Sequence, residues 1–271
     1  MSKYGETNIS EERAQYLKSR KMRKILICLT QVLILIAFLA LWEICARLKI
    51  IDSFITSQPS RIVNTIVNLY NEGQLFQHIG ITCFETVIGF VSGTILGTVI
   101  AVVLWWSQFL SKVLEPYLVI LNSLPKIALG PVFIVWFGAG TTSIIVIALA
   151  ISLIVTILEV LNGFMATDEE QIKLVKTFGA GRFQIFRKVV FPSNLPVIIN
   201  SLKINVGLSW VGVIVGEFLV SKAGLGYLIV YGGQVFQLDL VMASVIILCI
   251  AAGLMYQAVV VLQKLLVKSR L

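Results

Sequence analysis

The strongest constraint on this chain is a series of long apolar segments separated by short polar stretches. A helix needs about 20 mostly apolar residues to cross the bilayer core. Lipid cannot satisfy backbone polar groups, so an open sheet is excluded and helices are expected. Six segments are long and apolar enough, at about 25–46, 81–106, 113–137, 142–164, 196–220 and 239–263. We therefore predict an all-α membrane protein with about six transmembrane helices.

The composition agrees with lipid as the main solvent. The 271 residues are 58% hydrophobic and only 13% charged, with a mean hydropathy of +0.93. A soluble domain of this length needs more charge to cover its surface. We expect a polar N-terminal tail, 1–24, followed by a single transmembrane domain, 25–271, whose first span is retained rather than cleaved as a signal.

The distribution of basic residues predicts the orientation and argues against nucleic acid as a partner. The net charge is +8, and sixteen of the 22 lysines and arginines lie in the N-terminal tail, 107–112, 165–195 and the C-terminal tail. Only four lie in the intervening polar stretches. Because cytoplasmic loops are rich in Lys and Arg, both termini and 165–195 are predicted to be cytoplasmic. The segment 47–80 is then external, with an amphipathic helix over 61–70.

The nucleophilic and metal-binding residues are too scattered for a catalytic or metal site. The four cysteines are far apart, and the chain has one histidine, His78, at the edge of a span. An intramembrane enzyme would need a nucleophile–base pair or a ligand cluster. We therefore expect no catalytic residue, no metal and no cofactor bound by this chain.

The longest polar stretch between spans, 165–195, reads as two short helices around a glycine bend. Thr167 or Asp168 is placed to cap the first helix. Three-residue spacing puts Ile172, Val175 and Phe178 on one face. Apolar side chains on such a helix indicate docking into a groove of a partner protein. The alternative is a surface helix that folds back on its own bundle.

A family pattern lies in this stretch. Permeases of ABC importers carry Glu-Ala-Ala, three residues, Gly, nine residues and Ile-x-Leu-Pro. Gly179 takes the glycine position, and 189–192 (VVFP) resembles the final element. The departure is at Lys173, Leu174 and Val175, which stand where the family has Glu-Ala-Ala. The stretches 122–140, 177–196 and 216–229 are similar to permeases of the nitrate/sulfonate/taurine type.

The resemblance implies a type I ABC importer permease fold, multi-pass in a bacterial cytoplasmic membrane. The glycine-bend segment would be the coupling element that contacts a separate ATPase, at Val175, Phe178, Gly179, Ala180, Arg182 and Pro192. The chain lacks GxxxxGK[ST], so ATP and Mg would bind the ATPase. An extracytoplasmic solute-binding protein and a second permease subunit, as a homodimer, are the other implied partners.

Polar residues inside the spans are candidates for the translocation path. Lys126 lies about 20 Å into the third segment at the helical rise, beside Asn122 and Ser123. It either lines the path as an attractor for anions or serves as a structural or snorkelling cation. Glu217 could gate the path, sit at the interface or pair with Lys126, and pairing is favoured.

The predicted function is transport rather than catalysis. We expect a permease subunit that imports a small, anionic solute such as a sulfonate, taurine or nitrate. Import of a vitamin precursor by the same architecture is the alternative. An ion-coupled secondary transporter is a further alternative, although the deepest charge in the sequence is a lysine rather than a carboxylate.

Overall fold

In this computed structural model, the backbone is described for residues 11–268 and the side chains for residues 16–265. This part of the chain contains no β-strand, which confirms the all-α fold. The α-helices are α1 Glu11–Arg47, α2 Ser53–Thr56, α3 Pro59–Asn71, α4 Leu75–Trp106, α5 Gln108–Ser123, α6 Gly130–Phe137, α7 Thr141–Met165, α8 Glu169–Thr177, α9 Arg182–Ile185, α10 Phe191–Ser193, α11 Leu195–Val220, α12 Leu225–Gln234 and α13 Leu238–Lys268.

Five of these helices are long and apolar enough to cross a membrane. They are α1, α4, α7, α11 and α13, and they match five of the six predicted segments. The helix predicted at 61–70 is also present, within α3. Helix α1 continues without interruption across residue 24, where we expected the tail to meet the first span.

The third predicted segment is a broken pair of helices rather than one straight span. Helix α5 ends at Ser123, and a 3₁₀ turn, Lys126–Leu129, leads into α6 at an angle of 88° to α5. Leu124 is extended because it precedes Pro125, and a residue before proline is disfavoured in the helical region. Pro125 also lacks the N–H that would continue the helix. The pair amounts to a sixth span only if both parts are counted together.

The chain divides into two compact units between Val63 and Asn64. In the first unit, α1 carries an apolar stretch of which no residue is buried in the fold. Glu43 near its end forms an ion pair with Arg47 at 2.7 Å. The Glu43 carboxylate also accepts hydrogen bonds from the backbone N–H and the hydroxyl of Ser60, both at 3.0 Å. These bonds tie the end of α1 to the beginning of α3.

In the second unit, α7 is the central helix and packs against both α4 and α11. Ala148 of α7 shows how close these contacts are. A Cβ added at Gly89 of α4 would lie 2.8 Å from the Ala148 Cβ, and one added at Gly212 of α11 would lie 2.5 Å from the Ala148 Cα. Both distances are too short for any side chain, so these glycines allow the helix backbones to approach each other.

Helix α12 was not anticipated from the sequence. With ten residues it is too short to cross a bilayer, and it packs along α13. Its buried Leu225 and Leu228 form a small core with Leu240 and Ile247 of α13. The chain therefore turns back between α11 and α13, and this turn places the residues before α12 against α4 and α11.

Candidate functional site

The α7–α11 loop, residues 166–194, begins with the helix that the sequence predicted. Asp168 caps α8, because its carboxylate accepts a hydrogen bond from the Glu170 N–H at 2.9 Å. Glu169 and Glu170 lie in the first turn, where negative charge is stabilised by the helix dipole. Glu169 also forms an exposed ion pair with Lys173 at 3.1 Å. Of the two predicted caps, the structure selects Asp168.

A sharp reversal follows α8, as predicted. Gly179 has a φ of +78°, a left-handed conformation that only glycine adopts without strain. Two residues later, the Gly181 N–H donates to the Gln184 side-chain oxygen at 3.0 Å, which fixes the start of α9. The bend therefore has a defined geometry, and Phe178 lies immediately before it.

The second half of the loop is one continuous helical stretch with a wide turn inside it. Helix α9 passes into a π-helical turn, Phe186–Val190, and then into α10. The stretch continues through Pro192 to Ser193, and Asn194 caps its end.

Asn194 holds the two ends of the loop together. Its side-chain N–H group donates to the Thr167 hydroxyl at 2.7 Å and to the Val190 carbonyl at 2.8 Å. Gly163 leaves room for it, since a Cβ there would lie 2.9 Å from the Asn194 side-chain oxygen. We did not identify Asn194 from the sequence, although its position between two prolines marks the turn into α11.

An aromatic and apolar base fixes the loop to the ends of α4 and α7. The Phe186 ring lies 5.0 Å from the Trp105 ring and 5.6 Å from the Phe164 ring, measured between centroids. The Arg182 guanidinium lies 5.8 Å from the centre of the Trp105 ring, within the range of a cation–π interaction. Ile185 is buried in the same cluster. The base is therefore packed like a protein core.

Three large apolar side chains of this loop are exposed. One of them, Phe183 of α9, lies 6.4 Å from the Trp106 ring of the base, and the other two lie at the end of α8. Phe178 is 81% exposed, and Leu174, one helical turn earlier, is 60% exposed. Ile172 instead packs against the core cluster, and Val175 is half-buried. The predicted face of Ile172, Val175 and Phe178 is therefore wrong in part, because the first two turn towards the protein. Leu174 replaces them beside Phe178, and we call Leu174 and Phe178 the exposed apolar pair.

The other residues expected to contact an ATPase are divided between surface and interior. Gly179 and Arg182 are exposed, whereas Ala180 and Pro192 are half-buried. Ala180 packs against the core cluster of the base. A partner can therefore reach fewer of these residues than we predicted, and the accessible surface is centred on the exposed apolar pair.

Glu217, a second sequence-predicted site residue, is buried at the far end of α11. It is 1% exposed and accepts a hydrogen bond from the Thr82 hydroxyl at 2.6 Å and another from the Gly226 N–H. Gly224 has a φ of +117°, and any Cβ there would collide with the Glu217 carboxylate. The chain before α12 therefore wraps closely around this carboxylate.

Two residues of α4 complete this arrangement. The His78 Nδ1 accepts a hydrogen bond from the Gly224 N–H at 2.9 Å, and the Thr82 hydroxyl accepts one from the Leu225 N–H at 2.8 Å. We call Glu217, Thr82, His78 and residues 224–226 the Glu217 cluster. His78 is thus a buried structural acceptor.

Glu85 of α4 lies deeper in its helix than the predicted start of the second segment at residue 81 implies. Helix α4 begins at Leu75, six residues before the predicted start, so Glu85 lies about 15 Å into it at the helical rise. It is 1% exposed. The apolar stretch alone did not reveal the extra helical turns, because Gln74, Gln77 and His78 interrupt it.

Lys126 does not pair with Glu217. The Lys126 ammonium instead donates to the Asn122 carbonyl at 3.0 Å, at the break between α5 and the 3₁₀ turn. This bond satisfies a carbonyl at the end of α5 that has no partner within its helix. Asn122 and Ser123 are exposed beside it. The four residues predicted for the path are therefore split, with Glu217 buried and the other three at the helix break.

Comparisons with known proteins agree on one family. Residues 93–270 match the family described as "Binding-protein-dependent transport system inner membrane component". The aliphatic sulfonates transport permease protein SsuC of Bacillus subtilis is 28% identical over 86% of this chain and 84% of its own length. The formylaminopyrimidine transport permease protein ThiX of Halalkalibacterium halodurans is 30% identical over 72% of this chain and 77% of its own.

The fold is also found among solved structures. A chain of the MetNI methionine ABC transporter, in an inward-facing crystal form, superimposes with a TM-score of 0.61 at 21% identity. The similarity covers 69% of this chain and 94% of that chain. At this level of identity the comparison concerns the fold alone.

Proposed function

The chain belongs to the family of binding-protein-dependent transport system inner membrane components, and on that premise we propose that it forms the translocation path for a small, anionic solute in an ATP-driven importer. Membership makes it a multi-pass inner-membrane permease of the sulfonate/taurine type. The likeness to the MetNI chain confirms the type I importer permease fold. The relatives named above are transport permease proteins.

The observation that carries the proposal is the exposed apolar pair on a rigid base. Exposed Phe and Leu side chains, held by a loop that is itself well packed, favour burial against another protein. We propose that this partner is an ABC ATPase, which binds ATP and Mg and transmits its closure through the α7–α11 loop. The other predicted coupling residues would contribute less to this contact than the exposed apolar pair does. They are Val175, Gly179, Ala180, Arg182 and Pro192.

The other partners and the class of solute are proposed on the same premise of family membership. We propose that an extracytoplasmic binding protein delivers the solute and that two copies of this chain form the path in lipid. Relatives named for sulfonates and for formylaminopyrimidine indicate that the family serves chemically different solutes. We favour an anion because Lys126 places a cation at the break between α5 and α6, and a vitamin precursor remains the alternative.

Reconstituted transport tests this assignment. The full-length chain, the proposed ATPase and the proposed binding protein are placed in proteoliposomes, and solute uptake is measured with ATP or with an imposed ion gradient. We expect uptake with ATP and none with the gradient alone. Uptake driven by the gradient without ATPase would instead identify an ion-coupled secondary transporter.

The proposed orientation has its own test. Both termini and Gly179 should be cytoplasmic, whereas Gln58 and Lys222 should be external. Single cysteines are introduced at 58, 179 and 222 in a chain whose four native cysteines are replaced, and intact cells are treated with an impermeant thiol reagent. Labelling is expected at 58 and 222 only. Labelling at 179 without membrane disruption would reverse the orientation.

A further inference from the structure

Helix α1 carries a run of cations directly before its apolar part. Basic residues fill five of the seven positions in 18–24, and all five side chains are exposed. The helix continues through this run without a break, so the cations are held in a fixed arrangement around its axis. We call these five residues the basic collar: Lys18, Arg20, Lys21, Arg23 and Lys24.

The basic collar has no acidic neighbour on its own helix. Glu12 and Glu43 are the nearest acidic residues on either side of it in the sequence. Side chains on a helix surface meet at spacings of three or four residues, so neither glutamate reaches residues 18–24 along α1. The anions that balance this charge therefore come from outside the helix.

Three of the cations share one face of α1. Arg20, Lys21 and Lys24 follow the three- and four-residue spacing of a helical face. Together with Leu17 they line a shallow depression of about 320 Å³. Hydrogen bonds from Arg and Lys to phosphate are short and strong because both partners are charged. This face is therefore suited to a compact phosphate group.

The basic collar lies at the depth of lipid headgroups. Ile25 begins the apolar part of α1, and no residue of that apolar stretch is buried in the fold. At the helical rise, Lys24 and Lys18 lie about 1.5 and 10 Å beyond its start. The headgroup layer is roughly 5–8 Å thick on each side of a bilayer, and long basic side chains can extend towards it. The anions concentrated at this depth are lipid phosphates.

We propose that the basic collar binds the headgroups of anionic phospholipids, with Arg20, Lys21 and Lys24 as the main contacts. The proposal goes beyond the proposed function, since it requires no particular ATPase or solute. The number of basic residues predicts only the side of the membrane on which they lie. Their arrangement on one continuous helix adds a preference for negatively charged lipids. Because no buried contact fixes the apolar part of α1, the bound headgroups would fix the depth of this helix.

Fluorescence quenching by brominated lipids tests the proposal. Cys28 is exposed and lies one turn after Lys24 and two turns after Lys21 on the same face, so a fluorophore on its thiol reports on lipids beside the collar. The full-length chain, with its other three cysteines replaced by serine, is placed in bilayers of phosphatidylcholine and phosphatidylglycerol, and either lipid is brominated in turn. We expect phosphatidylglycerol to bind beside the label at least about fivefold more tightly, the factor that one cation near an anionic surface contributes.

Charge variants and salt separate the collar from the rest of the chain. Arg20→Gln/Lys21→Gln/Lys24→Gln should abolish the preference for phosphatidylglycerol. Salt at about 1 M should also reduce it strongly, because the Debye length is then about 3 Å. A matched control removes the same charge at three exposed lysines outside α1 and should keep the preference. These lysines are Lys112, Lys188 and Lys264.

Each contrary outcome overturns the proposal. Equal quenching by the two brominated lipids would show that the collar does not select headgroups. A preference retained by a monodisperse triple variant would place the selection elsewhere, and one that high salt leaves unchanged would not be electrostatic. Loss of the preference on addition of inorganic phosphate at constant ionic strength would identify a site for free anions instead of lipids.

Discussion

The two ends of the α7–α11 helix pair are unusual in opposite ways, because one exposes large apolar side chains and the other buries carboxylates. At one end, the α7–α11 loop leaves Leu174 and Phe178 in the open. At the other, Glu217 and Glu85 are buried. The length of α7, 25 residues or about 38 Å, separates these ends. In most proteins large apolar side chains are buried and carboxylates are exposed, so both ends call for a physical explanation.

The exposed apolar side chains and the buried carboxylates are each stabilised by a different kind of packing. At the loop end, the aromatic base around Phe186 stabilises the loop and leaves the exposed pair available for a partner protein. At the opposite end, Glu217 is stabilised by hydrogen bonds from Thr82 and Gly226, and Glu85 lies close enough to interact with Glu217 electrostatically. The first end is therefore suited to contact with a macromolecule, whereas the polar groups at the second end are paired within the chain.

The largest effect on ATPase binding and uptake is expected when the α7–α11 loop is changed at Gly179 or Phe178. Gly179→Asp strains a backbone with a φ of +78° and adds a charge to the proposed interface. Phe178→Ala removes burial worth about 1.5–3 kcal/mol, which corresponds to roughly tenfold to hundredfold weaker docking. Both variants should insert into the membrane normally, because the spans are unchanged. Co-purification of the ATPase and ATP-dependent uptake measure the loss.

Gln171→Ala is the matched control for this experiment, since Gln171 is exposed on the same helix but is polar. It should retain ATPase binding and uptake. Wild-type levels of both in Gly179→Asp would show that the α7–α11 loop does not couple to an ATPase, and the importer proposal would lose its mechanical basis.

A smaller effect on ATPase docking is expected at Leu174, on the exposed side of α8, and it can be compared with a change at Ile172, on the buried side. Leu174→Ala should weaken ATPase docking up to about tenfold, with little change in thermal stability, because Leu174 is already exposed in the free chain. Ile172→Ala should instead lower the melting temperature, since Ile172 packs against the core cluster. The comparison requires both binding and thermal unfolding. Equal stability losses in the two variants would mean that Leu174 is not directed outward.

At the buried end, Glu217→Gln should destabilise the fold. In one orientation the amide N–H₂ of glutamine would face the Gly226 N–H, which can only donate, and in the other it would replace the hydrogen bond that the carboxylate accepts from the Thr82 hydroxyl. An unsatisfied buried group costs about 1–3 kcal/mol. The unfolding temperature of the purified chain in nanodiscs reports this cost, with Glu115→Gln as an exposed control. An unchanged unfolding temperature would mean that Glu217 is held by contacts other than these two.

The smallest effect is expected at Lys126. Its ammonium makes a hydrogen bond to the Asn122 carbonyl, so Lys126→Ala should leave the complex assembled. If Lys126 attracts an anionic solute, uptake should fall by up to about tenfold, the equivalent of 1.4 kcal/mol. Failure to assemble would identify a structural role. Normal uptake by a well-assembled variant would remove Lys126 from the path.

The sequence predicted the elements whose causes are local. Apolar length determined five of the spans, and Asp168 and Gly179 predicted the helix cap and the reversal that bound α8. Such features depend on hydrogen bonds and backbone conformations within a few residues, or on transfer of a segment into lipid. They can therefore be inferred from residues that are close together in the sequence. The family pattern around Gly179 extended this inference to the importer family.

Only the tertiary structure decided which side chains meet. Thr82 and Glu217 are 135 positions apart in the chain but 2.6 Å apart in space. The outward direction of Leu174 depends on where the base holds α8, and the burial of Glu85 depends on α4, α7 and α11 closing around it. Periodicity gives the faces of a helix but not the neighbour of each face. That assignment requires the packing of all the helices together.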